Sequence, residues 1–161
     1  MTDPKDLLGK SESEKLEFKG RDALDQPEKI GREVVAFLNA KGGVVWVGIA
    51  ESEGRAVQIE DIANATEAAR RLKDHLIATI EPPITDEVDV EAIGDPGVLR
   101  VGITHSRSKR TPYAQLLKGS SRIFVVRVGD RIRPMGREEI FAPASSAGKA
   151  DELQKAEKRL R

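Results

Sequence analysis

The sequence of 161 residues lacks several features that define large classes of proteins. It has no cysteine, which excludes disulfide bonds and zinc sites built on cysteine ligands. Aromatic residues make up only 4% of the chain, with one Trp and one Tyr, so an extensive platform for stacking nucleic-acid bases is not expected. No apolar run approaches the roughly 20 residues that a membrane-spanning helix needs, and the N-terminus opens no apolar signal segment. We therefore expect a cytoplasmic protein that makes no membrane contact.

The formal net charge is zero, but the charges are distributed unevenly along the chain. Residues 51–95 contain 12 acidic and 4 basic side chains, a net charge of −8, whereas residues 100–137 contain 10 basic side chains and one acid, a net charge of +9. Such asymmetry is typical of a basic surface that binds a polyanion. It is equally expected if two oppositely charged parts pack together and neutralise each other, and the sequence leaves both interpretations open.

Hydrophobic periodicity predicts an α+β fold with a mixed sheet packed against two main helices. Alternation predicts a strand at 16–19, and helical spacing predicts one helix that starts near Pro27, after a cap at Asp25, and another at 66–80. A continuous apolar run predicts a central strand at 44–49 that is buried on both faces, and further strands are expected at 88–93, 98–103 and 123–128. We expect one domain at 11–142, preceded by a flexible tail at 1–10 and followed at 143–161 by a linker and a charged C-terminal helix.

An acidic motif precedes and includes the first predicted strand. Glu12 and Glu17 are five positions apart, so they converge only if Glu12 lies before the strand, since an ideal strand would place them on opposite faces. Glu51 follows the central strand and is a candidate third carboxylate. Converging carboxylates hold divalent metals, and such a metal activates water and stabilises a phosphoryl transition state. Lys19 is a candidate for stabilising the developing phosphate charge. The alternative is that these glutamates are ordinary surface charges.

The first main helix runs through Asn39 and a glycine pair directly into the central strand. Asn39 and Gly42-Gly43 are candidates for exposing backbone N–H groups to a phosphate. The simpler interpretation is that the glycines only let the chain reverse, because glycine adopts positive φ angles without steric penalty.

Basic residues dominate the last third of the predicted domain, and arginine binds phosphate with two parallel hydrogen bonds. Tyr113 lies among them and is a candidate for stacking on one exposed base. The candidate nucleic-acid contacts are Lys41, Arg107, Lys109, Arg110, Tyr113, Lys118, Arg122, Arg127, Arg131 and Arg133. With so few aromatic residues, recognition of shape and backbone is expected rather than base reading. The alternative is a solvated face whose charges are balanced by neighbouring acids.

The order of these segments resembles the Schlafen AlbA-like (AlbA_2) domain family. The similarity runs from Glu12-Ser13 and 16–19 (LEFK) through 36–43 (AFLNAKGG) and the strand ending at Ile49, to Pro112-Tyr113, 123–130 and 138–140 (EEI). It covers roughly residues 10–141 and implies a single lobe of an AlbA-like, Schlafen-core fold that binds nucleic acid. Similar animal proteins are metal-dependent endoribonucleases of tRNA and rRNA. Their acidic trio would fall on Glu12, Glu17 and Glu51, where Glu51 stands in place of the expected Asp.

Three functions follow as expectations. The first is a nucleic-acid-binding domain, for DNA or RNA, with a regulatory or defence role. The second is an endoribonuclease that holds Mg²⁺ or Mn²⁺ at the acidic trio, and the third is an interaction or oligomerisation module that uses the C-terminal helix. The animal nuclease core pairs two related lobes, so the single lobe implies a homodimer or a partner domain. No cysteine is present for the zinc cluster of animal Schlafens. In residues 143–150, Pro143 stands in place of the opening glycine of a nucleotide-binding loop and Ala150 in place of its Ser/Thr, so neither zinc nor a nucleotide cofactor is expected.

Overall fold

The computed structural model describes residues 2–105 and 112–141. Its helices and strands follow the predicted order, and the α+β class is confirmed. The helices are α1 (Pro27–Leu38), α2 (Ala65–Thr79) and α3 (Arg137–Phe141). The strands are β1 (Leu16–Lys19), β2 (Gly43–Val47), β3 (Ile49–Ser52), β4 (Arg55–Ile59), β5 (Ile80–Glu81), β6 (Val88–Gly94), β7 (Gly97–Ile103), β8 (Ala114–Leu116), β9 (Arg122–Ile123), β10 (Val125–Val128) and β11 (Arg131–Pro134). Short 3₁₀ helices span Pro4–Leu7, Arg21–Asp25 and Lys118–Ser120.

A four-stranded mixed sheet with the order β1-β2-β7-β6 organises the domain. β1 and β2 are parallel, and β2, β7 and β6 are antiparallel in succession. Smaller sheets are formed by β3-β4, by β5-β8-β9 and by β10-β11. Because β1 and β2 start at the same edge of the main sheet, the segments that precede them meet there, close to the end of β7 and the start of β6.

Helices α1 and α2 cover one face of the main sheet and form the larger core with it. Val34 and Phe37 of α1 and Leu76 of α2 are fully buried in one cluster with Val45 and Leu99 of the sheet. Full burial of each such side chain contributes roughly 1.5–3 kcal/mol. Pro27 occupies the first turn of α1, as predicted, but the residue that caps this helix is Gln26, with no side-chain cap bond, and not Asp25.

The opposite face of the main sheet is covered partly by the N-terminal segment, which was predicted to be a flexible tail. Leu7 is 4% exposed and packs in a second cluster with Phe18 and Trp46. The backbone N–H of Gly9 donates to the carbonyl of Ala56 at 2.8 Å. The expectation of a tail at 1–10 is therefore wrong for these residues, because apolar burial and a backbone hydrogen bond hold them against the β3-β4 hairpin.

Two predicted strands are each divided in the structure. The strand at 44–49 breaks at Gly48, whose φ of +103° turns the chain from β2 into β3. Glu51 consequently lies within β3 and not in a turn. The strand at 123–128 breaks at Phe124, so that β9 pairs with β8 while β10 pairs with β11. Gly48 is a possible signal for the first break, because an isolated glycine inside a strand pattern often marks an irregularity, but the apolar Phe124 gives no signal for the second.

No helix in residues 2–105 and 112–141 is long and apolar enough to cross a membrane. The predicted linker and C-terminal helix at 143–161 lie outside the described residues, as do Arg107, Lys109 and Arg110.

Candidate nucleic-acid interface and the acidic motif

Arg127 of β10 is buried between α1 and β1, with a side chain that is 1% exposed. Its guanidinium donates to the carboxylates of Glu17 and Glu33 at 2.9 and 3.1 Å. It also donates to the backbone carbonyls of Ser13, at 2.7 and 3.2 Å, and Leu16, at 3.1 Å. The group lies 4.4 Å from the centre of the Phe37 ring. The prediction that Arg127 contacts phosphate is therefore wrong in this conformation, because every part of the guanidinium is engaged inside the domain.

Glu17 is held in the same interior cluster. Its second carboxylate oxygen faces the ammonium of Lys19 at 3.5 Å, and Lys19 also lies 3.4 Å from Glu33. Burial, followed by a hydrogen bond and the negative charge of Glu12, raises the pKa of Glu17 from 4.5 to about 7, against the opposing effects of Lys19 and Arg127. Burial likewise raises the pKa of Glu33. Glu17 is thus partly protonated near pH 7.

Glu12 lies before β1, as convergence with Glu17 requires, and the two carboxyl groups share a hydrogen bond. The other partner of Glu12 is the backbone N–H of Phe18, which donates to it at 3.1 Å. Glu51 is exposed and accepts a hydrogen bond from the backbone N–H of Gly54 at 2.6 Å, across the β3-β4 turn. The predicted pair of Glu12 and Glu17 therefore meets, while the carboxylate of Glu51 is directed to its own hairpin.

The donor set of the acidic trio does not fit a bound Mg²⁺ or Mn²⁺ in this conformation. A guanidinium and an ammonium face the two oxygens of Glu17, and carboxylates bind hard cations through free oxygens. In residues 2–105 and 112–141 no three His, Cys, Asp or Glu side chains come together in an arrangement that could hold a metal ion. Among the described residues, no third carboxylate joins Glu12 and Glu17 to complete a metal site.

Tyr113 and Asn39 have structural partners instead of solvent-facing roles. Tyr113 is 2% exposed, and its hydroxyl donates to Glu87 at 2.8 Å. The Asn39 side chain accepts from the backbone N–H of Tyr113 at 2.7 Å and donates to the carbonyls of Tyr113 and Val125 at 2.9 and 2.8 Å. Tyr113 is therefore buried away from the base-stacking position predicted for it, and both side chains join the end of α1 to the strands beside it. The backbone N–H of Asn39, predicted to face a phosphate, donates instead to the carbonyl of Val35 at 3.0 Å.

The other predicted cations are exposed, but several are neutralised locally. Arg122 pairs with Glu81 at 2.7 Å, and Arg133 pairs with Glu139 at 2.7 and 2.9 Å. Lys118 and Arg131 are exposed, and neither forms an ion pair with the residues that the structure describes. Neutralisation of the basic part by the acidic part at 51–95 thus holds for Arg122, whereas Arg133 is neutralised by Glu139, which lies outside that part.

A different set of cations surrounds an open groove of about 470 Å³ at the edge where β1 and β2 begin. Lys15 and Lys41 precede these two strands, Arg100 projects from β7, and His105 follows β7. Lys41 was predicted as a nucleic-acid contact, while Lys15 and Arg100 were missed. Arg100 could have been identified as a candidate from the sequence, because it is a charged residue within a strand that is otherwise apolar.

Arg100 lies along the floor of this groove because Gly102 leaves room for it. A Cβ atom on Gly102 would lie 2.8 Å from the guanidinium nitrogen Nη1 of Arg100. The nearest acid is Glu91, at 3.9 Å, and no hydrogen bond from the Arg100 side chain to another described residue is present. Asp86 and Asp89 line the β6 side of the groove, so its formal charge is +1 with His105 neutral. Arg100 is therefore a cation with free hydrogen-bonding capacity.

Comparison with known proteins identifies a family and two similar folds. The sequence profile of the Schlafen AlbA_2 family matches residues 12–136. The crystal structure of a Corynebacterium diphtheriae protein is similar, with a TM-score of 0.54 and 20% identity over 83% of this chain and 24% of that one. The chain therefore spans about a quarter of the length of that protein.

The second fold is the solution NMR structure of the N-terminal domain of a protein from Nitrosomonas europaea that is related to the ATP-dependent DNA helicase RecG. It matches with a TM-score of 0.51 and 18% identity over 76% of this chain and 81% of that domain. No curated protein matches the sequence. At these identities the two structures establish the fold alone.

Proposed function

The chain belongs to the Schlafen AlbA_2 family, and from that premise we propose that it binds nucleic acid through the phosphate backbone at the groove of Lys15, Lys41 and Arg100. The observation that carries the proposal is the guanidinium of Arg100, which lies open in the groove without a hydrogen-bonding partner among the described residues. The relationship of one similar structure to a DNA helicase supports the same class of ligand.

The chemistry of the groove suits a phosphodiester. Arginine presents a planar fork of donors that matches two phosphate oxygens, and lysine adds a flexible point charge. By contrast, the guanidinium groups of Arg122 and Arg133 already form ion pairs with Glu81 and Glu139. In the groove the ion pairs of Lys41 with Glu14 and of Arg100 with Glu91 are longer, at 3.8 and 3.9 Å, so a phosphate competes there with weaker internal partners than at those two sites.

The groove favours contact with the backbone over contact with bases. Trp46 is 2% exposed and lies in the second core cluster, and Tyr113 is equally buried. Sequence-tolerant base binding generally needs exposed aromatic faces. Because the single Trp and single Tyr are both buried and the exposed Phe141 does not line the groove, phosphate contacts supply the affinity there, and such contacts carry no direct sequence information.

The position of the groove along the chain adds support. His105 lines it and is the last described residue before Arg107, Lys109 and Arg110 in the sequence. These three cations were predicted to contact nucleic acid and remain predictions. If they act with the groove, the salt dependence of binding will exceed what Lys15, Lys41 and Arg100 alone account for.

Fluorescence anisotropy with labelled single-stranded RNA and duplex DNA tests the proposal. If three phosphates are neutralised, affinity for duplex DNA should fall about 40-fold between roughly 50 and 200 mM salt. Arg100→Ala should weaken binding about 10-fold, because a charged hydrogen bond contributes roughly 1.5 kcal/mol or more, and it should reduce the salt slope by about 0.9. Affinity that does not respond to salt contradicts the proposal.

Three variants sharpen this experiment. Gly102→Val displaces the Arg100 guanidinium while keeping its charge, so it should weaken binding as Arg100→Ala does. Asp89→Asn removes an acid from the groove and should tighten binding. Arg122→Ala removes the same charge as Arg100→Ala from a paired arginine outside the groove and serves as the matched control. Equal losses for Arg100→Ala and Arg122→Ala would show that only overall charge matters and that the groove is not the site.

The other expected functions stay predictions. An endoribonuclease that uses Mg²⁺ or Mn²⁺ needs the acidic trio to converge on a metal, whereas in this structure the carboxylate of Glu51 accepts a hydrogen bond from the backbone of Gly54. The interaction module depends on the C-terminal helix at 143–161, which lies outside the described residues. The homodimer or partner domain that a single lobe implies also stays a prediction.

A further inference from the structure

We infer that the acidic motif of this chain anchors the β10-β11 hairpin to α1 and β1 and does not bind a divalent metal. The hairpin contacts the rest of the domain through Val125, which lies in the larger core and accepts a hydrogen bond from Asn39, and through Arg127, which enters the space between α1 and β1. All five hydrogen bonds of its guanidinium to described residues end on four residues: Ser13, Leu16 and Glu17 in and before β1, and Glu33 of α1.

The hydrogen-bond geometry matches an anchor. Two of the acceptors are the backbone carbonyls of Ser13 and Leu16, which flank the start of β1, and the carboxylates of Glu17 and Glu33 supply the others. The ring of Phe37 covers the guanidinium at 4.4 Å, which adds a cation–π contact in a water-free setting. A buried arginine satisfied on all sides fixes the hairpin in one orientation.

Charge balance also disfavours a metal at this position. Arg127 and Lys19 neutralise Glu17 and Glu33 within the cluster. A divalent cation that ligated Glu17 would lie within a few ångströms of two positive groups, and like charges at such distances repel strongly where water is excluded. Metal binding would therefore require Arg127 to leave its site, which would release the hairpin.

The inference assigns different roles to the three glutamates, whereas in a metal site all three would bind the same ion. Glu17 is 6% exposed and bonded to Arg127, while Glu51 is exposed and bonded only to the turn of its own hairpin. Changing Glu51 should consequently leave the anchor intact. If the three glutamates bound one metal, each of them would contribute to its affinity. The inference does not depend on the groove, so it can fail while the proposed function stands.

Direct titration with Mn²⁺ tests the metal half of the inference. The electron paramagnetic resonance signal of free Mn²⁺ is measured with the wild-type chain, Glu17→Gln and Glu51→Gln. We expect no saturable binding that depends on either glutamate, and no rise in melting temperature with Mn²⁺, although a ligand that binds only the folded state would produce one. Binding of one Mn²⁺ that is lost in both variants would overturn the inference.

Thermal unfolding tests the anchor. Arg127→Met should lower the melting temperature by roughly 10–20 °C, since removal of one partner of a buried ion pair is strongly destabilising. Arg127→Lys keeps the charge but cannot reproduce the fork, so it should recover only a minor part of that loss. Glu51→Gln is the control and should melt within a few degrees of wild type.

Amide hydrogen exchange provides a readout if Arg127→Met does not fold. In Arg127→Lys the amides of β10 and β11 should exchange at least about tenfold faster than in the wild type, with β6 and β7 less affected, because local opening is governed by local contacts. Unchanged exchange in the hairpin, or an Arg127→Met variant as stable as the wild type, would refute the anchor.

Discussion

Replacing Glu17 by Gln is expected to remove much of a pH dependence of stability that this carboxyl imposes on the domain. The folded-state pKa of Glu17 is about 7, compared with an ordinary value of 4.5, chiefly because the side chain is buried and secondarily because of Glu12. Between these two values the folded chain retains a proton that the unfolded chain releases. The free energy of unfolding therefore falls as the pH rises from about 4.5 to about 7.

The magnitude follows from the pKa difference. One pKa unit corresponds to about 1.4 kcal/mol, so the change from 4.5 to about 7 corresponds to roughly 3 kcal/mol. Gln is neutral at every pH, its oxygen can still accept from Arg127, and its NH₂ can donate to Glu12. Glu17→Gln should thus match the wild type near pH 5 and exceed its unfolding free energy by up to about 3 kcal/mol near pH 8. The raised pKa of Glu33 acts in the same direction, so the variant keeps a shallower slope.

Urea unfolding followed by the fluorescence of Trp46 is a suitable assay, because Trp46 is the only tryptophan and is buried. The measurement is made from about pH 5 to pH 8 with a chelator present, so that divalent ions play no part. Glu53→Gln removes the same formal charge from an exposed side chain in the β3-β4 turn and controls for overall electrostatics. Parallel curves for wild type and Glu17→Gln, or a variant that is less stable at every pH, would refute the reasoning.

Two further predictions concern the contacts that join α1 to the strands beside it. Asn39→Ala removes three hydrogen bonds to the backbone of Tyr113 and Val125. It should lower the free energy of unfolding in urea by about 2–4 kcal/mol, since each lost bond costs roughly 1 kcal/mol or more. A loss below about 0.5 kcal/mol, the size of an ordinary surface effect, would contradict the role of Asn39 in joining α1 to these strands. Tyr113→Phe removes the hydroxyl that donates to Glu87 and should cost about 1–2 kcal/mol without changing nucleic-acid affinity. A selective loss of affinity in Tyr113→Phe would restore this residue as a binding contact.

The sequence by itself determined the two main helices, the central strand and the order of the larger elements. The spacing of Val34 and Phe37 predicts the buried face of α1, and the apolar run before Gly48 predicts a central strand, because helical and strand periodicity are local properties of the chain. It also determined that Glu12 precedes β1, which is the condition for its meeting Glu17. The order of short motifs predicted the family that the sequence profile confirms.

Tertiary structure alone decided which charges are available for binding. Glu17 and Arg127 are 110 positions apart, and no local pattern indicates that a hairpin carries one to the other. The groove was not predicted for a similar reason. Lys15, Lys41 and Arg100 are far apart in sequence and meet only because β1, β2 and β7 are neighbours in the sheet. An arginine next to a buried carboxylate and an arginine next to water are indistinguishable in sequence, because the energy of a charge depends on the partners and the solvent that the fold places around it.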